Sequence, residues 1–262
     1  MRGIPLPAVL AGGFVGATGL VAGYLTVARP AKEFGPASQK QRIDAFDRNA
    51  LHYDADISTS ETLSGITGLR SELLKGCSGD VLELAAGTGR NLKLYPPGAV
   101  RSLTLVDLSL PMLQLAEAKV AMPTETVVSA GDVRLVAADI TRLPFTEAAY
   151  DVVVDTFGLC SVGNPAAVVA EASRVLRPGG QLLLLEHGRS ASNSWVNGLL
   201  DRWADAHAHH HGCSWNRDVE GIVRQAADAA DLDVETVSRH HAGTTVMLRC
   251  RRRSHGGGPH LQ

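Results

Sequence analysis

The chain has 262 residues, 45% of them hydrophobic and 20% charged, so it can fill a core and is neither disordered nor a coiled coil. Its 25 basic and 27 acidic side chains leave a net charge of −2, without the basic excess that phosphate contacts of a nucleic-acid binder call for. Four cysteines, Cys77, Cys160, Cys213 and Cys250, form no CxxC pair and read as scattered reduced thiols rather than a zinc ribbon or a disulfide scaffold.

The amino terminus opens with an uncharged stretch. Residues 5–28, PLPAVLAGGFVGATGLVAGYLTVA, are long enough to cross a hydrocarbon core of about 30 Å as a helix. Gly12, Gly16, Gly19 and Gly23 fall on one face of it and allow a second backbone to approach, as in a homodimer through the anchor. A cleaved signal or transit peptide is the alternative reading. The polar residues 30–47 that follow read as a membrane-proximal linker, and Arg29, Lys32, Lys40 and Arg42 place the main domain on the positive-inside face. At the other end, residues 251–262, RRRSHGGGPHLQ, read as a disordered tail with a solvated arginine run.

Between them, apolar runs at 80–84, 102–106, 133–137, 151–155 and 181–186 are bounded by glycine, proline or polar residues, as buried parallel strands are. Residues 164–176 carry a helical pattern that stops before Pro178-Gly179-Gly180, and Asn216 is placed to cap a helix whose buried face is Ile222, Val223, Ala226 and Ala230. Residues 232–239 and 244–250 read as a closing hairpin. The pattern predicts an α/β fold: a three-layer, Rossmann-like, mostly parallel seven-stranded sheet with a C-terminal hairpin.

Three strand ends carry chemistry. The first runs into Glu83-Leu84-Ala85-Ala86-Gly87-Thr88-Gly89-Arg90-Asn91, a turn that exposes backbone to a ligand. A dinucleotide fingerprint counted from Gly87 would need glycine where Leu92 stands, so that fingerprint fits poorly. The second ends at Asp107, 24 residues after Glu83, the spacing at which an acid meets ribose hydroxyls; a helix N-cap is the competing role for it. The third leads to Asp139-Ile140. Ligands of open parallel sheets bind at these carboxyl ends.

The segments ELAAGTGRN, LVDLS, AADITRLPF and LRPGG resemble the class I S-adenosylmethionine-dependent methyltransferases over residues 78–188. The resemblance implies S-adenosyl-L-methionine as cofactor and a methyltransferase domain over 48–250. It implies that Gly87, Thr88 and Gly89 line the methionine part, with Glu83 organising the loop, and that Asp107 holds the ribose. Leu108 and Met112 would flank the adenine, Asp139 and Ile140 would read its edge, and Thr156 and Phe157 would border the methionine amino group. Ala85 departs from the family pattern, which has the first glycine of GxGxG there. A narrower likeness, carried by 155–161 (DTFGLCS), 186–189 (EHGR) and 212–218 (GCSWNRD), is to membrane-anchored methyltransferases, the mitochondrial inner-membrane Oms-type proteins of fungi and the thiol methyltransferases of the endoplasmic reticulum. It implies a mitochondrial inner-membrane protein, with the endoplasmic reticulum as the alternative.

Methyl transfer from a sulfonium needs alignment and exclusion of water more than a protein nucleophile. His187, after the fifth strand, is the expected general base where the acceptor carries a proton, with a purely supporting histidine as the alternative. Trp203, Trp215 and Arg217 are expected to shape a substrate lid. His207, His209, His210, His211 and Cys213 suggest metal, but no acidic ligand supports them and imidazoles suit a helix carboxyl terminus; no metal is expected. The membrane-anchored enzyme would act on a small or lipid-like acceptor. A cofactor-binding assembly factor without turnover and a nucleotide-dependent oxidoreductase remain the alternatives.

Overall fold

The computed structural model describes residues 34–254. The expected anchor over 1–29 and most of the expected tail lie outside these residues. Among the described residues, no helix is long and apolar enough to cross a membrane.

Seven strands form one sheet in the order β3-β2-β1-β4-β5-β7-β6: β1 (Gly79–Leu84), β2 (Val100–Asp107), β3 (Val133–Ala137), β4 (Tyr150–Thr156), β5 (Leu176–His187), β6 (Leu232–His240) and β7 (Thr245–Arg252). β1 to β5 pair in parallel, and β7 runs antiparallel to both β5 and β6, so the sheet is mixed, with the expected hairpin at its end. Successive strand residues face opposite sides, and both sides are apolar. Leu82, Leu84, Leu182 and Leu184 join one core cluster, Val81, Val154, Leu183 and Leu185 the other. Each such leucine contributes about 2 kcal/mol when removed from water, which is why these strands read as continuous hydrophobic runs.

The helices are α1 (Gln39–Ser64), α2 (Ile66–Leu74), α3 (Leu110–Val120), α4 (Pro165–Val175), α5 (Ser194–His211) and α6 (Val219–Ala229). Three differences from the sequence reading matter. Residues 39–47, expected as linker, belong to α1, because Ser38 and Gln41 close a reciprocal capping box that satisfies two otherwise orphaned N–H groups. The cap of α6 is Asp218 rather than Asn216, its carboxylate accepting the Gly221 N–H. The arginines of the expected tail are tied to the fold while staying partly in solvent: Arg251 and Arg252 end β7 and pair with Glu235 and Glu147, and Arg253 pairs with Asp233.

The order of strands reverses at β1, with β2 and β3 on one side and β4 and β5 on the other. The crevice at that reversal, above the carboxyl ends, is where the sheet leaves room for a ligand. α1 crosses it.

Candidate functional site

A pocket of about 760 Å³, open mouth included, occupies the crevice. Ala85, Gly87, Asp107, Leu108, Met112, Asp139, Ile140, Thr156 and Phe157 line it from the strand ends. Those are nine of the twelve residues expected around the cofactor. Gln39, Arg42, Ile43, Phe46 and Tyr53 line it from α1, a side the sequence reading did not supply.

The remaining three stand behind the lining and hold it. Glu83 is 1% exposed; its carboxylate accepts from Tyr95 Oη at 2.6 Å and Asn91 Nδ2 at 3.0 Å. Burial pushes this carboxyl up to about 7 against those bonds. Thr88 is fully buried and donates to Asp54 of α1 at 2.7 Å. Gly89, at φ +73, packs so closely that an added Cβ would meet Leu92 Cδ1 at 2.7 Å and Ala116 Cβ at 3.3 Å. Gly87, at φ +55, has open space at the same position. The two glycines therefore do different things: Gly89 lets α3 approach the turn, and Gly87 leaves bare backbone toward the pocket.

Ala85 adopts φ +46, a left-handed conformation that favours glycine. Its extra methyl is accommodated across the crevice: a Cβ on Gly158 would meet the Ala85 Cβ at 2.8 Å and Asp155 Oδ1 at 2.2 Å. The glycine missing from the first position has its counterpart in the bare backbone of residue 158.

Asp107 does not cap α3. Ser109 does, its hydroxyl accepting the Met112 N–H. Asp107 Oδ2 accepts the Gly87 N–H at 2.8 Å and Oδ1 accepts the Ser109 N–H at 2.8 Å, tying the β1 turn to the β2 end. Each oxygen keeps a second lone pair, the pair of acceptors a ribose diol requires. Burial pushes this carboxyl up from its ordinary value. Asp139 is exposed and its Oδ1 accepts from the Thr141 N–H and hydroxyl, leaving Oδ2 for a ligand.

A polar chain joins the pocket wall to α1 and α2. Arg70 is 5% exposed; it donates to Thr156 Oγ1 at 2.8 Å, Asn91 Oδ1 at 3.1 Å and Glu61 Oε1 at 2.9 Å. Arg90 spans Asp54 and Glu61 at 3.0 and 2.7 Å, and Lys119 meets Asp54 at 2.5 Å. Burial alone would raise both acids. For Glu61 the charges of Arg70 and Arg90, and for Asp54 the Lys119 and Thr88 contacts, outweigh it and hold the carboxyls below their ordinary values.

Beneath the β4 end of the pocket, Glu186 is fully buried and accepts the N–H groups of Gly158, Leu159 and Cys160 at 3.1, 3.3 and 3.0 Å. Asp155 shares the Gly158 N–H at 2.9 Å. Burial raises both carboxyls. Together they fix the turn that carries Phe157, Ser161 and Val162 to the pocket.

The expected base and lid residues sit elsewhere. His187 does not line the pocket; its ring stacks on Phe157 at 4.2 Å, and its Nδ1 is 3.7 Å from Cys213 Sγ. Trp203 is buried in α5 at 3% exposure. Trp215 stacks on His207 at 3.9 Å and donates to the Leu200 carbonyl at 2.9 Å. Neither reaches the pocket, because the apolar faces of both indoles are spent on packing. Arg217 acts on it at one remove, donating to the carbonyls of Leu159 and Val162. The cysteines are not scattered: Cys160 and Cys213, 53 positions apart, have Sγ atoms 3.2 Å from each other.

Comparison with known proteins agrees with this geometry. Residues 82–184 match the family described as Methyltransferase domain. The chain is 29% identical over 221 residues to the mitochondrial methyltransferase OMS1 of Saccharomyces cerevisiae, covering 79% of this chain and 45% of that protein. It is 39% identical over 131 residues to the thiol S-methyltransferase TMT1B of Homo sapiens, 47% of this chain and 49% of that one. The chain thus spans about half the length of these two relatives. Against the ubiquinone/menaquinone biosynthesis C-methyltransferase UbiE of Stutzerimonas stutzeri it is 31% identical over 194 residues, 69% of this chain and 72% of that protein. Among solved structures, the fold matches the cyclase SpnF (TM-score 0.61, 16% identity, 86% of this chain and 100% of that one). It also matches a geranyl diphosphate methyltransferase in complex with S-adenosylmethionine (TM-score 0.58, 15% identity, 86% and 99%). With the strand-end pocket, its acids and these relatives in agreement, the chain belongs to the class I S-adenosylmethionine-dependent methyltransferases.

Proposed function

We propose that the chain transfers the methyl group of S-adenosyl-L-methionine to a small, apolar or lipid-like acceptor, from a membrane held by residues 1–29. The observation that carries this reading is the division of the pocket: polar strand ends on one side, and Ile43, Phe46 and Tyr53 of α1 with Val162 on the other. The polar side suits an adenosyl group. Asp107 would bind the ribose, Asp139 and Ile140 the adenine edge between Leu108 and Met112, and Thr156, Phe157 and Gly87 the methionine end. Arg42, 7% exposed and donating to Ser214 Oγ at 2.7 Å, would close the far end.

The acceptor would lie against the apolar α1 side, and the relatives named for thiols and quinones support that chemical class. When bound, the cofactor supplies the electrophilic carbon and its leaving group; the chain supplies alignment and a dry site. Among the described residues lining the pocket none is a histidine. This favours an acceptor that brings its own nucleophile, a thiol ionised in solution or an electron-rich ring carbon, over one that needs an imidazole base. His187, stacked behind Phe157, would position that ring. The mitochondrial relative and the apolar residues 5–28 support a mitochondrial inner membrane location.

The test is a methyl-label assay on membranes carrying the full chain, with counts sorted into lipid, protein and soluble fractions. Label should enter the lipid or soluble fraction. Asp107→Ala removes acceptors for two hydroxyls, each about 1.5 kcal/mol or more for a charged partner, and should weaken cofactor binding about 100-fold. Label confined to protein would reject the acceptor class; an unweakened Asp107→Ala would reject the ribose role.

A further inference from the structure

We propose that Cys160, His187 and Cys213 form a binding site for one thiophilic divalent cation of the zinc type, adjoining the cofactor pocket through the shared ring of Phe157. The three side chains offer ligand atoms that all lie within 4.8 Å of one another. They come from three separate parts of the chain: the turn after β4, the last residue of β5, and the residue after the C-cap of α5. Cys213 Sγ is 3.2 Å from Cys160 Sγ and 3.7 Å from His187 Nδ1. Bond lengths of about 2.3 Å to sulfur and about 2.0 Å to nitrogen make the edges of a tetrahedral zinc site about 3.8 Å between sulfurs and about 3.5 Å from sulfur to nitrogen. The Cys213–His187 edge, at 3.7 Å, is close to that length, and the sulfurs need to part by about 0.6 Å.

The backbone holds these ligands independently of any metal. The Cys160 N–H is fixed by Glu186 and its carbonyl accepts the Ser214 N–H at 2.8 Å, so the two cysteine segments are stitched together beside their sulfurs. Cys213 follows Gly212 at φ +78, where a Cβ would strike the Phe46 ring at 2.4 Å. His187 is set by its register opposite Thr245 and by the Phe157 stack. Its ring nitrogens have no strong partner: the ring meets only the sulfurs of Cys213 and Cys160, and Nε2 is buried with no hydrogen bond among the described residues. A metal bound at Nδ1 gives the ring the strong partner that a thiol sulfur does not.

Charge selects the ion. Two thiolates and a neutral imidazole balance a divalent cation, so the loaded site is neutral in a buried place where net charge is expensive. Binding forms two metal–sulfur bonds and one metal–nitrogen bond, and the two thiol protons leave to solvent. The Glu186 oxygens are already committed to three N–H groups, and no fourth protein ligand joins the cluster among the described residues. The fourth position is left to water or an added sulfur, as in open Cys2His sites.

The experiment uses the full chain, untagged and reduced with a phosphine, titrated with Co2+ and then Zn2+. One equivalent of Co2+ should produce sulfur-to-cobalt charge-transfer absorption with release of two protons, and Zn2+ should bleach it. Cys160→Ser and Cys213→Ser should each abolish the band, His187→Gln should weaken cobalt binding at least tenfold, and Cys77→Ser and Cys250→Ser should change nothing. Should the buried Cys160→Ser fail to fold, Cys213→Ser and His187→Gln carry the same readout. Because the exposed His210 can retain cobalt without sulfur, the charge-transfer band decides and total metal does not. A chain that binds cobalt without that band overturns the proposal. So does a reduced chain that ignores both metals and loses two hydrogens by mass in air as Cys160 and Cys213 join.

Discussion

The two walls of the pocket are built on opposite electrostatics. On the sheet side, Glu83, Asp107, Asp155 and Glu186 are acids whose carboxyls burial pushes up. They hold the turns around them: Asp107, Asp155 and Glu186 accept backbone N–H groups, and Glu83 accepts the Asn91 and Tyr95 side chains. On the helix side, Asp54 and Glu61 of α1 meet Arg70, Arg90 and Lys119, and the cations hold their carboxyls down. The sheet wall is therefore shaped in advance, at a cost in charge. The helix wall is a separate element clamped on by ion pairs. A cofactor that must be gripped in one geometry suits the first, and an acceptor that must enter and leave suits the second.

Breaking the clamp at its most buried point should have the largest effect. Arg70 and Glu61 side chains are each 6% exposed, and removing one partner of such a pair costs about 3–5 kcal/mol. Arg90 still meets Glu61 at 2.7 Å after the change, so Arg70→Met should lose about 3 kcal/mol, read as a shift of the denaturant midpoint at constant slope. A loss below about 1 kcal/mol would mean that α1 is held by apolar packing instead, and that the contrast between the walls is not energetic.

The same contrast explains what the sequence discloses. β1 to β5 announce themselves as short apolar runs, and each chemically informative residue, Gly87, Asp107, Asp139 and Thr156, follows its run within three positions, so local pattern suffices. α1 does not. Its buried positions are Arg42, Ala45, Ala50, Ile57, Glu61 and Ser64, half of them polar, so no apolar stripe of period 3.6 marks it. The available signals were local: the Ser38–Gln41 capping box and Gly65 in the left-handed region at its end. The ion pairs that make its buried face viable join residues 9 to 65 positions apart, and Cys160 meets Cys213 across 53. No spacing rule reaches that far. Trp203 and Trp215 misled for the complementary reason: a tryptophan near a motif looks functional, yet both are absorbed into packing around α5.

Acidity separates the walls next. Glu83 has a carboxyl raised from 4.5 to about 7 in the folded chain, so the folded state binds its proton more tightly than the unfolded one. Stability from this group is present below pH 4.5 and lost as pH rises toward 7, by at most about 3 kcal/mol. Asp54 and Glu61, with lowered values, act oppositely: their contribution is present above the ordinary carboxylate range and lost as pH falls through the folded values. Glu83→Gln should make the decline between pH 4.5 and 7 shallower in a series of urea midpoints, the rest being carried by Asp155, raised to about 7 in the same way, while leaving the acid limb intact. An unchanged slope across that window would show that Glu83 is ionised in the fold.

A finer cut distinguishes cofactor from acceptor binding. Phe46 lines the pocket from α1 and packs edge-on to Tyr53 with centroids 6.4 Å apart. Phe46→Ala removes apolar area worth about 2 kcal/mol to a bound apolar group, so the acceptor KM should rise about 30-fold. The affinity for the demethylated cofactor should stay within a factor of about two, because no atom of Phe46 belongs to the strand ends. Equal losses in both would mean that α1 covers the cofactor as much as the acceptor.

The smallest effect tests whether the clamp is electrostatic at its rim. Lys119 and Asp54 are 21% and 35% exposed, so water and salt screen their attraction, and such pairs contribute about 0.5–1 kcal/mol. Lys119→Met should therefore barely move global stability. Its consequence is local: Asp54 also receives the Thr88 hydroxyl, the link between α1 and the glycine turn, and without the lysine, which also donates to Thr88 Oγ1, only Arg90 still holds that carboxylate. Cofactor affinity should fall about threefold at low salt and converge with the parent chain near 1 M, where the Debye length is about 3 Å. Parallel salt curves for the two proteins would place the hold of α1 on the turn in the Thr88 hydrogen bond alone, and the rim of the helix wall would then be as uncharged in effect as the sheet wall opposite.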